Sequence, residues 1–470
     1  MHRLFIFILL LCAHIVQAQK TWSFEDCVNY AMENNINLSL SKLNIDYAKN
    51  THLQNKMDLY TPNANVSITE GFNFANSINP LTYQFVQQTT NSTSLGFNAD
   101  YNIFQGLQRI FQIKASKSGL NASELELKEL ENNTRLLVAN YYLNTLLAYE
   151  AYQLALEKKK LTQNQLSNTL ELVKAGVLAQ GDKYEVEALL ANDELNIVTS
   201  ENNFETAINE LKLLLQLDPF EDFAIEGLNI EDSEMDNYPV QAKMLSLNAM
   251  SNLPNLEVLR LKTEAAKYQL KAAKSSLSPT LSISAYLGSN YFSAAQEQKG
   301  SETVTQAIGV VSGTGQVVLT SYEQATFGNK SFGAQLNDNF NQSVRLNLFV
   351  PIFGKWQRMI AIDNAKLNIL KTEYDLKNKE NNLQQEVFTA YTNLKAAFKK
   401  YEANVSNHEA AELAFNYANE KFKAGILNSY EFETAKNRFI NAEVSTVQSK
   451  YEYFFRKVIV QFYETGELNF

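Results

Sequence analysis

Cysteine and histidine are almost missing from this chain. Its 470 residues hold two cysteines, Cys12 and Cys27, and four histidines, His2, His14, His52 and His408. So few thiols and imidazoles give no Ser-His-Asp or Cys-His centre and no metal-ligand spacing. No catalytic residue, metal or cofactor is therefore expected. Proline is scarce as well, at seven residues, so long helices can run unbroken. After the first residues no apolar run reaches the length of a transmembrane helix. Acidic residues outnumber basic ones, 51 to 41, and that balance argues against nucleic acid as a partner. The carboxylates sit on long polar stretches and read as solvated faces, so the chain is not expected to be an enzyme.

The first residues carry an address. Arg3 precedes the apolar run Leu4 to Leu11, and Val16-Gln17-Ala18 offers a small residue for cleavage before Gln19. Residues 1–18 are read as a signal peptide. Leu11 stands before Cys12, where a lipoprotein signal wants a small residue, so no lipid is expected there. An exported chain without an apolar helix is either soluble or crosses a membrane as strands.

A tandem repeat organises the rest. Lys423-Ala424-Gly425-Ile426-Leu427 repeats Lys174-Ala175-Gly176-Val177-Leu178 at an offset of 249. The same offset pairs Ile103-Phe104 with Ile352-Phe353, Val138 with Val387, Tyr142 with Tyr391 and Leu211 with Val460. Such self-similarity means that one burial problem is solved twice.

Four stretches alternate with period two. In 62–74, Ala64, Val66, Ile68, Phe72 and Phe74 share a face, with Glu70 the exception. In 94–104 the apolar set is Leu95, Phe97, Ala99, Tyr101 and Ile103. Leu281, Ile283, Ala285 and Leu287 follow in 279–288, and Val344, Leu346, Leu348 and Val350 in 342–351. Strands of this kind have lipid on one side and water on the other, or else need a second layer that this chain does not supply. Pro62 and Pro279 open the first strand of each pair; Gly106 and Gly354 close the second. The link 289–341 is rich in Gly, Ser, Thr and Gln, and reads as an external barrel loop or a disordered segment.

Heptads mark the helices. Val387, Tyr391, Leu394, Phe398, Tyr401 and Val405 step by four and three, and Val138, Tyr142, Thr145, Tyr149, Tyr152 and Leu156 occupy the equivalent places. From Gly106 to Ala175 there is no proline, which predicts one helix of roughly 105 Å. The plan is a first repeat over 19–217, an equatorial segment over 218–250 and a second repeat over 251–470. Each repeat reads as helix, strand, loop, strand, long helix, tip turn near 176 or 425, and return helix.

This organisation resembles the TolC-like outer membrane efflux proteins. The motifs that carry the resemblance are Leu-Asn-Leu-Phe-Val-Pro-Ile-Phe-Gly at 346–354, the prolines opening the strands and the two Lys-Ala-Gly turns. The resemblance implies a mainly α fold with a β-barrel part: four strands per protomer join a 12-stranded trimeric barrel, and duplicated helical hairpins form a periplasmic tunnel. It implies a passive export duct in the outer membrane, extending into the periplasm. The duct would work in tripartite efflux or type I secretion with a periplasmic adaptor and an inner-membrane pump. A soluble periplasmic coiled-coil adaptor is the alternative, and would show one hairpin flanked by compact β domains.

The resemblance also assigns a site. Asp182 lies six residues after Gly176 and Glu431 six after Gly425, where the family constricts its closed tunnel. Read without the family, both acids fit as helix N-terminal residues complementing the dipole. The family's second acid falls on Thr434, and its latch aromatic and basic residue fall on Phe422 and Leu427. Adaptor docking is implied for Gly176, Val177, Leu178, Gly425, Ile426 and Leu427.

Overall fold

The structure is a computed structural model describing residues 21–78, 83–228, 230, 235–354 and 356–468. The signal expected over 1–18 lies outside the described residues. The chain divides into two units, each described here by itself: residues 1–50, 117–265 and 369–470, and residues 51–116 and 266–368.

The first unit is helical. Strand β1 (Thr21–Trp22) leads into α1 (Phe24–Asn34) through a capping box. Ser23 Oγ accepts the Asp26 N–H at 3.1 Å, and the Asp26 carboxylate accepts the Ser23 N–H at 3.2 Å. Helix α2 (Ile36–Tyr60) follows. The two long helices α3 (Gln108–Lys174) and α8 (Gln357–Lys423) have 67 residues each, as a duplication requires. Their return partners are α4 (Gln180–Leu215) and α9 (Ser429–Thr465). Between them run β4 (Ala224–Ile225), α5 (Ala242–Asn252) and α6 (Pro254–Ser275). No helix among the described residues is long and apolar enough to cross a membrane.

The core of this unit obeys the repeat. Val138 and its counterpart Val387 are both fully buried, as are Leu211 and Val460. Ala31 and Ala249, small residues at equivalent places on α1 and α5, are also fully buried. Tyrosines tie the core to the equatorial segment. Tyr142 Oη donates to the Glu226 carbonyl at 2.5 Å, and Tyr453 Oη to the Asp236 carbonyl at 2.6 Å. Burial is the main cause that raises the pKa of both phenols, so each stays a neutral donor.

The second unit holds the sheet. Strands β2 (Asn63–Ile78), β3 (Phe85–Gln105), β5 (Thr280–Phe292) and β8 (Asn341–Phe349) form an antiparallel sheet in the order β2-β3-β5-β8. Val66 pairs with Phe97 and Ile283 with Leu346 on one face; Asn65 pairs with Asn98 and Ser282 with Asn347 on the other. Strands β2 and β3 run well past the ends expected near 74 and 94.

Two features differ from the sequence expectation. Ile103 does not continue the apolar face, because a bulge between Asn102 and Phe104 sets Phe104, not Ile103, opposite Leu281. The link 289–341 holds regular structure: β6 (Gln296–Val310) pairs with β7 (Val317–Asn329), and a short helix α7 (Phe332–Asp338) leads into β8. On the polar face Tyr286 covers the paired Gly96 and Gly288. A side chain at Gly288 would collide with the Tyr286 ring and the Leu95 carbonyl, so this is one place where glycine is required.

Candidate functional site at the hairpin tips

Both tip turns close in the same way. Gly176 has φ +73° and Gly425 φ +72°, a backbone that residues with a Cβ rarely adopt. In the first turn, the Val177 N–H reaches the Leu172 carbonyl at 2.9 Å and the Gly176 N–H the Val173 carbonyl at 3.1 Å. In the second, Ile426 and Gly425 reach Lys421 and Phe422, both at 2.9 Å. This is the Schellman arrangement, which satisfies the last carbonyls of α3 and α8. The tips adjoin: a Cβ on Gly425 would lie 3.5 Å from Val177 Cγ1. Val177 and Ile426 are exposed, whereas Leu178 and Leu427 are half-buried.

Asp182 and Glu431 occupy the same third position of the helices that leave the turns. The Asp182 carboxylate accepts the Ala179 N–H at 2.9 Å. The Glu431 N–H donates to the Asn428 side chain, the N-cap of α9, at 2.8 Å. Both carboxylates therefore complement a helix N-terminus, and both keep solvent access. Thr434 donates to the Tyr430 carbonyl at 2.9 Å. Phe422, at the family's latch position, is buried instead and stacks on Phe432 at 4.6 Å. That stack continues through Phe415 and Phe439 to His408 along the second hairpin.

A buried polar cluster behind the tips joins the two hairpins, and nothing in the sequence reading singled it out. Lys436 on α9 is 1% exposed; its Nζ donates to Gln165 Oε1 at 2.8 Å, to Thr162 Oγ1 at 3.0 Å, and to Glu433. Thr162 in turn donates to Asp193 at 2.6 Å, and Lys158 pairs with Asp193 at 3.1 Å. Burial is the chief cause that lowers the Lys436 pKa, and the Glu433 carboxylate opposes it. Gln165 Nε2 and Thr169 Oγ1 are buried with no hydrogen-bond partner among the described residues. The available signal was a lysine in an aromatic seam, since Phe432, Lys436 and Phe439 step by four and three.

No group of three His, Cys, Asp or Glu suited to a metal ion occurs among the described residues. What the arrangement offers is a pair of acidic, solvent-accessible turns braced from behind.

Comparison with known proteins gives this geometry its class. The family described as Outer membrane efflux protein matches residues 245–454. Outer membrane protein TolC of Escherichia coli is 21% identical over 404 residues, covering 85% of this chain and 72% of its own. Its counterpart in Salmonella enteritidis is 20% identical over 412 residues, covering 86% and 73%. Among solved structures, CusC superposes with a TM-score of 0.74 at 15% identity, over 96% of this chain and 92% of that one. VceC of Vibrio cholerae gives 0.73 at 13% identity, over 95% and 97%. The CmeC outer membrane channel of Campylobacter jejuni gives 0.72 at 18% identity, over 95% and 86%. Residues 245–454 match the outer membrane efflux protein family, and over most of its length the chain is similar to outer membrane proteins of the TolC type, with the same mainly helical fold and β-barrel part. Its relatives are channels rather than enzymes.

Proposed function

We propose that this chain is the outer membrane channel-tunnel of a tripartite efflux or type I secretion system, a passive duct built as a homotrimer. The observation that carries the reading is a four-stranded sheet whose outer strands, β2 and β8, have one neighbour each. In lipid an open edge leaves backbone groups unsatisfied at several kcal/mol each, so copies must close the sheet. Three copies give twelve strands. Exposed apolar helix faces support the same assembly. On α2, Ile36, Leu40, Leu43 and Met57 form an exposed heptad stripe, and on α8 Ile360, Leu367, Tyr374 and Phe388 form another.

In this reading Asp182 and Glu431 from three copies form the constriction, six carboxylates about one axis, which favours cations. Val177 and Ile426, exposed beside their turn glycines, are the surface for a periplasmic adaptor that links the duct to an inner-membrane pump, with Leu178 and Leu427 supporting them from below. The soluble-adaptor reading is not favoured, because two helical hairpins and a four-stranded sheet replace the expected single hairpin between β domains. Cleavage before Gln19, with no lipid on Cys12, belongs to the same proposal.

The test is native mass measurement of the detergent-solubilised protein together with conductance in a planar bilayer. A trimer that conducts supports the reading. A stable monomer, or a trimer that never conducts, rejects it.

A further inference from the structure

Among the described residues, neither the hairpin β6–β7 nor the outer part of β2–β3 has a further strand beside it. Strand β2 has 16 residues and β8 has 9, so at least seven residues of the β2 edge stay open whatever register a neighbouring β8 adopts. Seven residues are roughly 23 Å of strand. The open stretch carries large apolar side chains: Phe72, Phe74, Ile78 and, across the hairpin, Phe85 are all more than half exposed. Strands β6 and β7, at 15 and 13 residues, form a separate two-stranded sheet whose outer edges have no strand partner among the described residues. Their distal end is aliphatic and exposed, with Ile308, Val310, Val317 and Leu319. A lone two-stranded ribbon is marginally stable in water, and such edges and patches call for a cover.

The foot of the hairpin fixes which neighbour it meets. Gln335 on α7 is 1% exposed; it accepts the Phe292 N–H at 2.9 Å and donates to the carbonyls of Phe292 at 3.1 Å and Lys330 at 2.9 Å. The Lys330 N–H closes the base on the Ala295 carbonyl at 3.0 Å. Ser289 Oγ donates to the Leu336 carbonyl at 2.7 Å, holding α7 on β5. The hairpin is thus anchored between β5 and β8, on the side of the sheet where closure brings the β2 of the next copy. Strand β7 feeds through α7 directly into β8, the edge strand of the sheet.

From this we infer that β6–β7 of one protomer adds to the open outer edge of β2 in its neighbour. Pairing of β7 with the distal half of β2 continues the barrel outward as a collar, with Ile308, Val310 and Leu319 packed against Phe74, Ile78 and Phe85. The collar is an interface between copies of this chain. The inference rests on the trimer proposed above.

Cysteine pairs separate the two ideas. In a Cys27→Ala background, Asn73→Cys or Ala75→Cys on β2 is combined with Thr320→Cys, Ser321→Cys, Gln324→Cys or Ala325→Cys on β7. A barrel control combines Asn65→Cys with Ser343→Cys, Arg345→Cys or Asn347→Cys. A disulfide needs Cα atoms within about 7 Å, so collar links should form for alternate β7 positions and give covalent trimers on non-reducing gels. Barrel links without collar links would overturn the collar and leave the trimer standing. Collar cysteines that link only within one monomer would also overturn it. Absence of both kinds of link would sink the trimer and the collar together. A second measurement covers poor oxidation. Replacing 296–329 with a short glycine linker should speed hydrogen exchange of outward-pointing amides in 68–78 by on the order of tenfold or more in the intact trimer. Unchanged exchange would assign the cover to lipid, detergent or an outside partner and refute the inference.

Discussion

Lys436→Met is the most informative single change in the helical unit. Methionine keeps an unbranched side chain one atom shorter and removes the charge and the donors. Glu433, 7% exposed, then keeps only a 3.4 Å contact from Asn437, and Gln165 Oε1 loses its donor. Asp193 is spared, because Lys158 and Thr162 still hold it. Removing one partner of a buried pair costs about 3–5 kcal/mol, whereas replacing both with groups of similar volume is near neutral. Lys436 is almost wholly buried, so solvent screening does not reduce that cost.

The expected result is local opening of the seam between α3 and α9, with exchange of amides near 158–166 and 433–440 faster by roughly a hundredfold or more, since about 1.4 kcal/mol is a factor of ten. The double variant Lys436→Met/Glu433→Gln should return most of the protection. Hydrogen exchange read by mass spectrometry on the solubilised protein measures both. Equal exchange in wild type and single variant, or a double variant as labile as the single one, would refute the argument that this lysine braces the tips.

Three further outcomes follow from the same structure. Asp182→Asn with Glu431→Gln should weaken cation preference and block by multivalent cations in single-channel recordings, with folding cost held to about 0.3–1 kcal/mol per helix-end carboxylate; unaltered selectivity would leave these acids as helix caps. Cysteines at Asn65, Asn98, Ser282 and Asn347 should react with small polar thiol reagents, while those at Val66, Phe97, Ile283 and Leu346 should not. Burial, assisted by Glu157, raises the Glu443 pKa above the ordinary value, and His408 opposes it. A raised folded pKa means stability that is complete below the unfolded value and lost as pH rises through the folded one; Glu443→Gln should flatten that segment of a pH-stability curve, and an unchanged slope would assign it to another group.

The repeat, the strands and the long helices were legible because each buries a face, and a buried face imposes a period. Val138 and Val387 show it, equal in spacing and in burial. The same logic explains why β6–β7 was not legible. Its run from Gln296 to Val310 puts Thr303 and Thr305 on one face and Glu302, Val304 and Gln306 on the other, so neither face is apolar throughout, and within one chain neither is covered. Ile103 misled for a local reason: alternation extrapolated through a bulge puts the wrong residue on the apolar face, and only the partner strand reveals the extra residue. Lys436 is harder still, since its partners Thr162 and Gln165 lie 274 and 271 positions away. Asp182 and Glu431 were found by their shared offset from two glycines, yet offset alone does not separate a helix cap from a constriction. In the single chain Asp182 caps its helix and Glu431 lies in the first turn of its own, and both keep solvent access. A carboxylate that only caps acts within its own helix, so its loss should not alter ion selectivity. A carboxylate that also lines a shared axis acts on ions from three copies at once, and selectivity is the quantity that distinguishes the two.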